Sequence, residues 1–248
     1  MTSINAFIQC RMSSRRLPGK SIALISGIPM VKFMHDRVRK SQRINEIIIL
    51  TSNHSSDDAL AKICEQNHIK VFRGNLTDVL DRFYNASKVF PSENIIRLTG
   101  DCPLIDHTII DNLINLHLHK KSTYTSNTEP PTFPDGMDIE IFKTSLLQDT
   151  HEQAQLSYER EHVTPFMKKK LFINKHNFKN TTDLSSVRLT VDHKEDLHLI
   201  NQIVNKLGDN TSMKEVIELL NSNANLKEIN KGIKRNEGLI TSYKKGLD

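Results

Sequence analysis

Along the first 120 residues, short apolar runs of strand length alternate with amphipathic stretches of helical length. Alternation of this kind builds a parallel sheet with helices on its faces. Ile4 to Cys10, Glu46 to Thr51, Ile69 to Phe72 and Asn94 to Thr99 read as strands. Pro29 opens a helix to about Lys40, with Met30, Phe33, Met34 and Val38 on one face. Ser55 or Ser56 caps a helix from Asp57 to Gln66, and Thr77 caps one from Asp78 to about Lys88. Asp106 caps another, from about Thr108 to His119. After residue 120 the rhythm changes, and residues 121–186 read as a smaller arm on a single domain. Strands are expected at Ser122 to Ser126, at Gly136 to Phe142 (half-buried, by its alternation) and at Ser186 to Val191. Helices are expected at Thr144 to Gln153, Tyr158 to Lys170, Lys194 to Leu207 and Met213 to Leu220. The basic tail from Lys231 reads as loosely held.

Composition narrows the function. With 248 residues, 37% hydrophobic, the chain can bury a sizeable core, and no apolar run approaches the roughly 18 residues of a membrane span. Its opening lacks the charged start and apolar stretch of a secretory signal, which points to the cytoplasm and away from a membrane. Cys10, Cys64 and Cys102 have no metal-like spacing and read as reduced, mostly buried thiols. A net charge of +5 permits nucleic acid, but aromatic residues are only 6% and Trp is absent. No stacking platform is therefore expected, and anionic small substrates account for the charge.

The cations concentrate after the first strand, in Ile8-Gln9-Cys10-Arg11-Met12-Ser13-Ser14-Arg15-Arg16-Leu17-Pro18-Gly19-Lys20. Loops at the carboxyl ends of such strands bind ligands. Arg11, Arg15, Arg16 and Lys20 bring charge, Ser13 and Ser14 hydroxyls, and Gly19 close backbone approach, a mixture suited to a polyphosphate. Gly19-Lys20-Ser21 imitates the end of a Walker A motif, but Ser14 stands where that motif needs glycine, and Pro18 removes a backbone donor. Two further apolar segments end in carboxylates. Arg97 to Thr99 runs into Gly100-Asp101-Cys102-Pro103-Leu104-Ile105-Asp106, and Arg188-Leu189-Thr190-Val191 runs into Asp192-His193-Lys194-Glu195-Asp196-Leu197. Asp101 is a Mg²⁺ ligand or a turn aspartate. Asp192 alone reads as a helix cap, with Glu195 completing a capping box.

The opening loop, R-x-x-S-x-R-L-P-G-K, resembles the nucleotide-binding signature of the sugar-acid cytidylyltransferases. The resemblance is to the family of spore coat polysaccharide biosynthesis protein F, itself similar to CMP-Kdo synthetase. Arg11, Ser14, Arg16 and Lys20 fall on the motif positions, while Cys10, Ser13 and Arg15 replace the usual Ala, Gly and Thr. The resemblance covers roughly residues 4 to 200. It implies a Rossmann-like (GT-A-like) nucleotidyltransferase core with a mixed, mostly parallel sheet. The implied reaction is transfer of CMP from CTP to the anomeric hydroxyl of a sugar acid. It further implies that Arg11, Arg16 and Lys20 stabilise the triphosphate, and that Asp101 and Asp192 together hold Mg²⁺. Arg73 and Arg82 would lie in the region of base and ribose recognition, although Asp78 and Arg82 at i, i+4 spacing suit a simple ion pair. Pro134-Asp135-Gly136-Met137-Asp138-Ile139-Glu140 matches the sugar side, so Asp138 and Glu140 either meet sugar hydroxyls or form a polar strand face. Arg160 and His162, in Glu159-Arg160-Glu161-His162-Val163-Thr164-Pro165, either bind an anionic acceptor or lie on a solvated helix turn. Relatives pair subunits through the arm, so a homodimer is expected, with Met137, Ile139 and Ile141 expected to have little covering. A GT-A glycosyltransferase and an inactive nucleotide-binding protein are the rival readings.

Overall fold

The computed structural model describes residues 2–235. At its centre is β1 (Ile4–Gln9), whose side chains alternate between two apolar layers. Ala6 and Ile8 enter one layer and Phe7 the other. Such two-sided burial explains why the strand reads as nearly unbroken apolar sequence. A small hairpin, β2 (Leu24–Ile25) and β3 (Ile28–Pro29), leads into α1 (Met30–Val38). The alternating half continues through β4 (Glu46–Ser52), α2 (Asp58–Gln66), β5 (Lys70–Gly74), α3 (Val79–Val89), β6 (Asn94–Thr99) and α4 (His107–His119). Then come β7 (Tyr124–Ser126), β8 (Glu140–Lys143), α5 (Thr144–Gln153), α6 (Ser157–His162), α7 (Pro165–Lys169) and β9 (Lys175–Asn177). The last described elements are α8 (Lys194–Leu207), α9 (Met213–Ser222) and α10 (Ala224–Glu228).

The main sheet has the order β5-β4-β1-β6-β8-β7-β9. β1 pairs in parallel with β4 and β6, and β4 with β5, whereas β8 runs antiparallel to both β6 and β7. The architecture is α/β with a mixed, mostly parallel sheet. From β1 the chain winds outward to β4 and β5, then returns to β6 on the other side of β1. That reversal is a topological switch point, and open sheets bind ligands at the carboxyl ends of the strands there. The opening loop leaves β1 and Asp101 follows β6, so both lie at this crevice.

Several expectations change. Residues 121–186 are built onto the main sheet, to which they give β7, β8 and β9. The strand expected from Gly136 starts only at Glu140, because Gly136 (φ +106°) bends the chain against Leu189, whose backbone carbon lies 2.7 Å from where a Cβ would stand. Met137, Ile139 and Ile141 are fully buried there and are not an uncovered face. The helix expected from Tyr158 to Lys170 splits at Val163 (φ 70°), and Pro165 restarts it as the first residue of α7. Ser186 to Val191 makes only one bridge, Asp135 with Arg188. Its backbone bonds go to loops: Leu189 N–H donates to Asp135 O at 2.7 Å and Val191 N–H to Asp101 O at 2.8 Å. Of the tail from Lys231, residues 236–248 lie outside the described residues, while Arg235 is fixed by an ion pair with Asp138.

Candidate active site

The opening loop is shaped by its own backbone. Gly19 adopts the left-handed conformation (φ 73°) and donates its N–H to Met12 O at 3.0 Å, closing the loop. Ser21 Oγ donates to Arg11 O at 3.0 Å, and Ser14 Oγ accepts from Leu17 N–H at 3.4 Å. Buried Asp57 anchors the start of the loop, accepting from Met12 N–H at 2.8 Å, Thr51 Oγ1 at 2.9 Å and Ser52 N–H at 3.0 Å. Sequence reasoning gave Asp57 only a place at a helix start. Its role needs β4 beside β1, which no local pattern reveals.

The closed loop aims Lys20 at both carboxylates. Lys20 Nζ donates to Asp101 Oδ2 at 2.9 Å, to Asp192 Oδ1 at 2.8 Å and to Val191 O at 3.0 Å. Arg16 Nη2 stands 2.7 Å from the same Asp192 oxygen. Asp101 can come this close because Gly100 precedes it: a Cβ there would meet Cys10 Sγ at 2.1 Å and Gln9 O at 3.0 Å. Thr190 Oγ1 also donates to Asp101 O at 3.1 Å, tying the two carboxylate-bearing segments together. Asp192 is not the helix cap. Asp196, rather than Glu195, accepts the N–H of His193 at 2.9 Å ahead of α8, which leaves the Asp192 side chain directed at the cations.

Charge follows from this packing. Burial would raise the Asp101 carboxyl, yet the Lys20 ammonium overcomes both burial and the neighbouring Asp192 and holds it low. Burial acts likewise on Asp192, and Lys20 and Arg16 hold it far below the usual carboxylate range. Burial would lower Lys20, but Asp101 and Asp192 raise it. All three groups are therefore ionised at neutral pH.

The other expected site residues have diverse surroundings. Arg11 is half-exposed on the same loop, 3.8 Å from Glu161 at the end of α6. Arg73 pairs with Asp58 at 2.6 Å and donates to Ser52 O at 2.9 Å. Arg82 is 2% exposed and donates to the carbonyls of Asn75 and Leu76. The Asp78–Arg82 pair gives way to one between Asp78 and Arg160 at 2.6 Å. Arg160 also donates to the carbonyls of His151 and Ala154, so it braces α6 against α5 as well as α3 and is not turned to solvent. Glu140 is no half-exposed strand residue. It is 4% exposed and bound by Arg97, by Lys168 at 3.2 Å and by Tyr124 Oη at 2.5 Å. Asp138 pairs with Arg235, whereas the buried His162 Nε2 has no hydrogen-bond partner. Two open cavities of about 430 and 490 Å³ share Asn45, Glu46 and Lys70 at the other, amino-terminal edge of the sheet, away from this cluster.

A family model for cytidylyltransferases matches residues 5–237. The chain belongs to the cytidylyltransferase family. As a cytidylyltransferase it is a nucleotidyltransferase. It is 33% identical over 217 residues to spore coat polysaccharide biosynthesis protein SpsF of Bacillus subtilis, spanning 84% of this chain and 89% of that one. A solved cytidylyltransferase from Leptospira borgpetersenii matches with a TM-score of 0.89 at 33% identity, over 95% of this chain and 100% of that one. The structure of CMP:2-keto-3-deoxy-manno-octonic acid synthetase complexed with CTP shares the fold, with a TM-score of 0.63 at 15% identity, over 83% and 99% of the two chains. Among the described residues, no helix of this cytidylyltransferase is long and apolar enough to cross a membrane.

Proposed function

We propose that the enzyme transfers the cytidylyl group of CTP to the anomeric hydroxyl of a sugar acid. The new bond joins the sugar oxygen to the α-phosphorus, the α–β phosphoanhydride bond breaks, and pyrophosphate leaves. The hydroxyl proton passes to solvent. The observation that carries this reading is the junction of Lys20 with Asp101 and Asp192 beneath a loop of arginines at the switch point. Such transfer depends on positioning and charge neutralisation more than on covalent catalysis. Arg11, Arg16 and Lys20 supply positive charge to the triphosphate and the departing pyrophosphate.

The donor set fits Mg²⁺. Two carboxylate oxygens already converge on one cation, the Lys20 ammonium, within 2.9 Å. Mg²⁺ suits that arrangement, since it commonly takes one or two carboxylates and completes its shell with phosphate and water. When bound there by Asp101 and Asp192, it would polarise the α-phosphate. On the acceptor side, His162, whose buried Nε2 has no hydrogen-bond partner, is better suited to meet the sugar than Asp138, Glu140 and Arg160, which are occupied by protein partners. The name of the Bacillus subtilis relative, a spore coat polysaccharide biosynthesis protein, supports a step in making polysaccharide.

CTP with Mg²⁺ should stabilise the protein by about 2.7 kcal/mol at 100 times Kd, and by more than UTP, ATP or GTP at the same concentration. Pyrophosphate release from CTP with a panel of sugar acids then tests the transfer itself. A larger stabilisation by ATP or GTP, or no release with any sugar acid, would contradict the assignment. We also propose a homodimer. Its support is the edge position of β9 with Leu171 and Phe172 exposed beside it, and light scattering giving a 28.4 kDa particle would exclude it.

A further inference from the structure

Asp192 is held from two sides. Its Oδ1 faces Lys20 and Arg16, while its Oδ2 faces Arg188 Nη2 at 3.3 Å. Arg188 is 8% exposed and is itself clamped. Nε and Nη2 donate to the two oxygens of Asp196, each at 2.9 Å, and Nη1 donates to Asp135 Oδ2 at 3.0 Å. A planar guanidinium gripping a carboxylate at two points has a fixed orientation that a lysine cannot reproduce. Asp196 is fully buried and serves both partners. Besides holding Arg188, its Oδ2 accepts the backbone N–H groups of Asp192 at 3.0 Å and His193 at 2.9 Å. One buried pair thus fixes the Asp192 backbone and one edge of its carboxylate.

The brace comes from beyond α10. Asn230, 8% exposed, donates through Nδ2 to Asp196 Oδ1 at 2.9 Å and to Arg188 O at 3.2 Å. Sequence reasoning gave the segment after α9 no part in the site. Yet it closes this cluster through Asn230 and meets Asp138 through Arg235.

We propose that Arg188, locked by Asp196 and braced by Asn230, is a positioning residue that presents the Asp192 carboxylate to the metal–nucleotide complex. This rests on the reading of Asp192 as a metal ligand. Arg188 does not touch the nucleotide. It leaves Oδ1 of Asp192 directed at the crevice and holds the other carboxylate oxygen in place. Mutating it therefore affects the metal-dependent part of nucleotide binding and spares the part carried by the opening loop.

Calorimetric titration with CTP, in EDTA and in saturating Mg²⁺, separates these parts without requiring turnover. For Arg188→Lys we expect CTP affinity in EDTA within about twofold of the unmodified protein, and a Mg²⁺-dependent gain smaller by about tenfold. Asn230→Ala, which leaves the Arg188–Asp196 pair intact, should reduce that gain about threefold and serves if Arg188→Lys does not fold. A full Mg²⁺-dependent gain in folded Arg188→Lys, or in Asn230→Ala where that is the variant that folds, overturns the proposal. So does an equal loss of affinity with and without metal. If the unmodified protein shows no Mg²⁺-dependent gain, the metal reading of Asp101 and Asp192 falls first, and this role of Arg188 falls with it.

Discussion

Replacing Glu140 by glutamine removes one buried charge while keeping its shape. The carboxylate lies between Arg97 and Lys168 and accepts from Tyr124 Oη. Burial would raise its pKa, but Lys168 and Arg97 together outweigh burial and hold it at about 2, against an ordinary 4.5. A carboxyl depressed in the folded state stabilises the fold above its unfolded pKa, and that contribution is lost as pH falls towards the folded value. The interval between 4.5 and about 2 corresponds to about 3 kcal/mol at pH 7. Glu140→Gln should therefore be less stable by about 3 kcal/mol at pH 7, narrowing to about 1 kcal/mol near pH 2.5. Urea denaturation of both proteins across that range measures the difference, and other titrating groups cancel between them. Equal stability at pH 7 would refute the reasoning. A deficit that does not change with pH would also refute it, since the loss would then come from packing and not from charge.

Asp101→Asn and Asp192→Asn should each lower kcat by roughly 10² to 10³, with the double variant little worse, because the pair acts as one unit; near-full turnover of Asp101→Asn at saturating Mg²⁺ would reject the metal role. Gly100→Ala drives a methyl against Cys10 Sγ and Gln9 O; denaturant titration should show a loss of about 1–3 kcal/mol, and unchanged stability would mean that β1 and β6 separate easily there. His117 is buried against Thr125 and Asn94, and burial, aided by Lys143 and His176, pushes its pKa down to about 4. The neutral ring is thus favoured in the fold, so stability present above about pH 6.5 should decline as pH falls towards 4, and His117→Gln should flatten that decline in melting experiments.

What the chain determined locally is the set of short-range features. Two-sided burial writes itself into Ile4 to Gln9 and Glu46 to Ser52 as nearly unbroken apolar sequence, so the central strands are legible. The loop from Arg11 to Lys20 declares its charge because its cations are neighbours in sequence. Asp101 and Asp192 each end a short apolar segment, which marks them as carboxylates delivered to an edge.

Only the tertiary structure decided what these groups meet. Lys20 lies 81 residues from Asp101 and 172 from Asp192, and strand order together with the bonds of Thr190 and Val191 to Asp101 O, not local pattern, brings the three together. Alternation suggested that Glu140 shared a solvent face with Asp138, but β8 lies between β6 and β7, where Arg97 and Tyr124 enclose it. Helical spacing suggested Asp78 with Arg82, yet α6 brings Arg160 within 2.6 Å of Asp78 and Arg82 turns to backbone carbonyls. Periodicity and composition report how each segment is buried. Which charge neutralises which is set by distances between segments far apart in the chain, because a charge leaves water only where an opposite charge or a polar group has been folded against it.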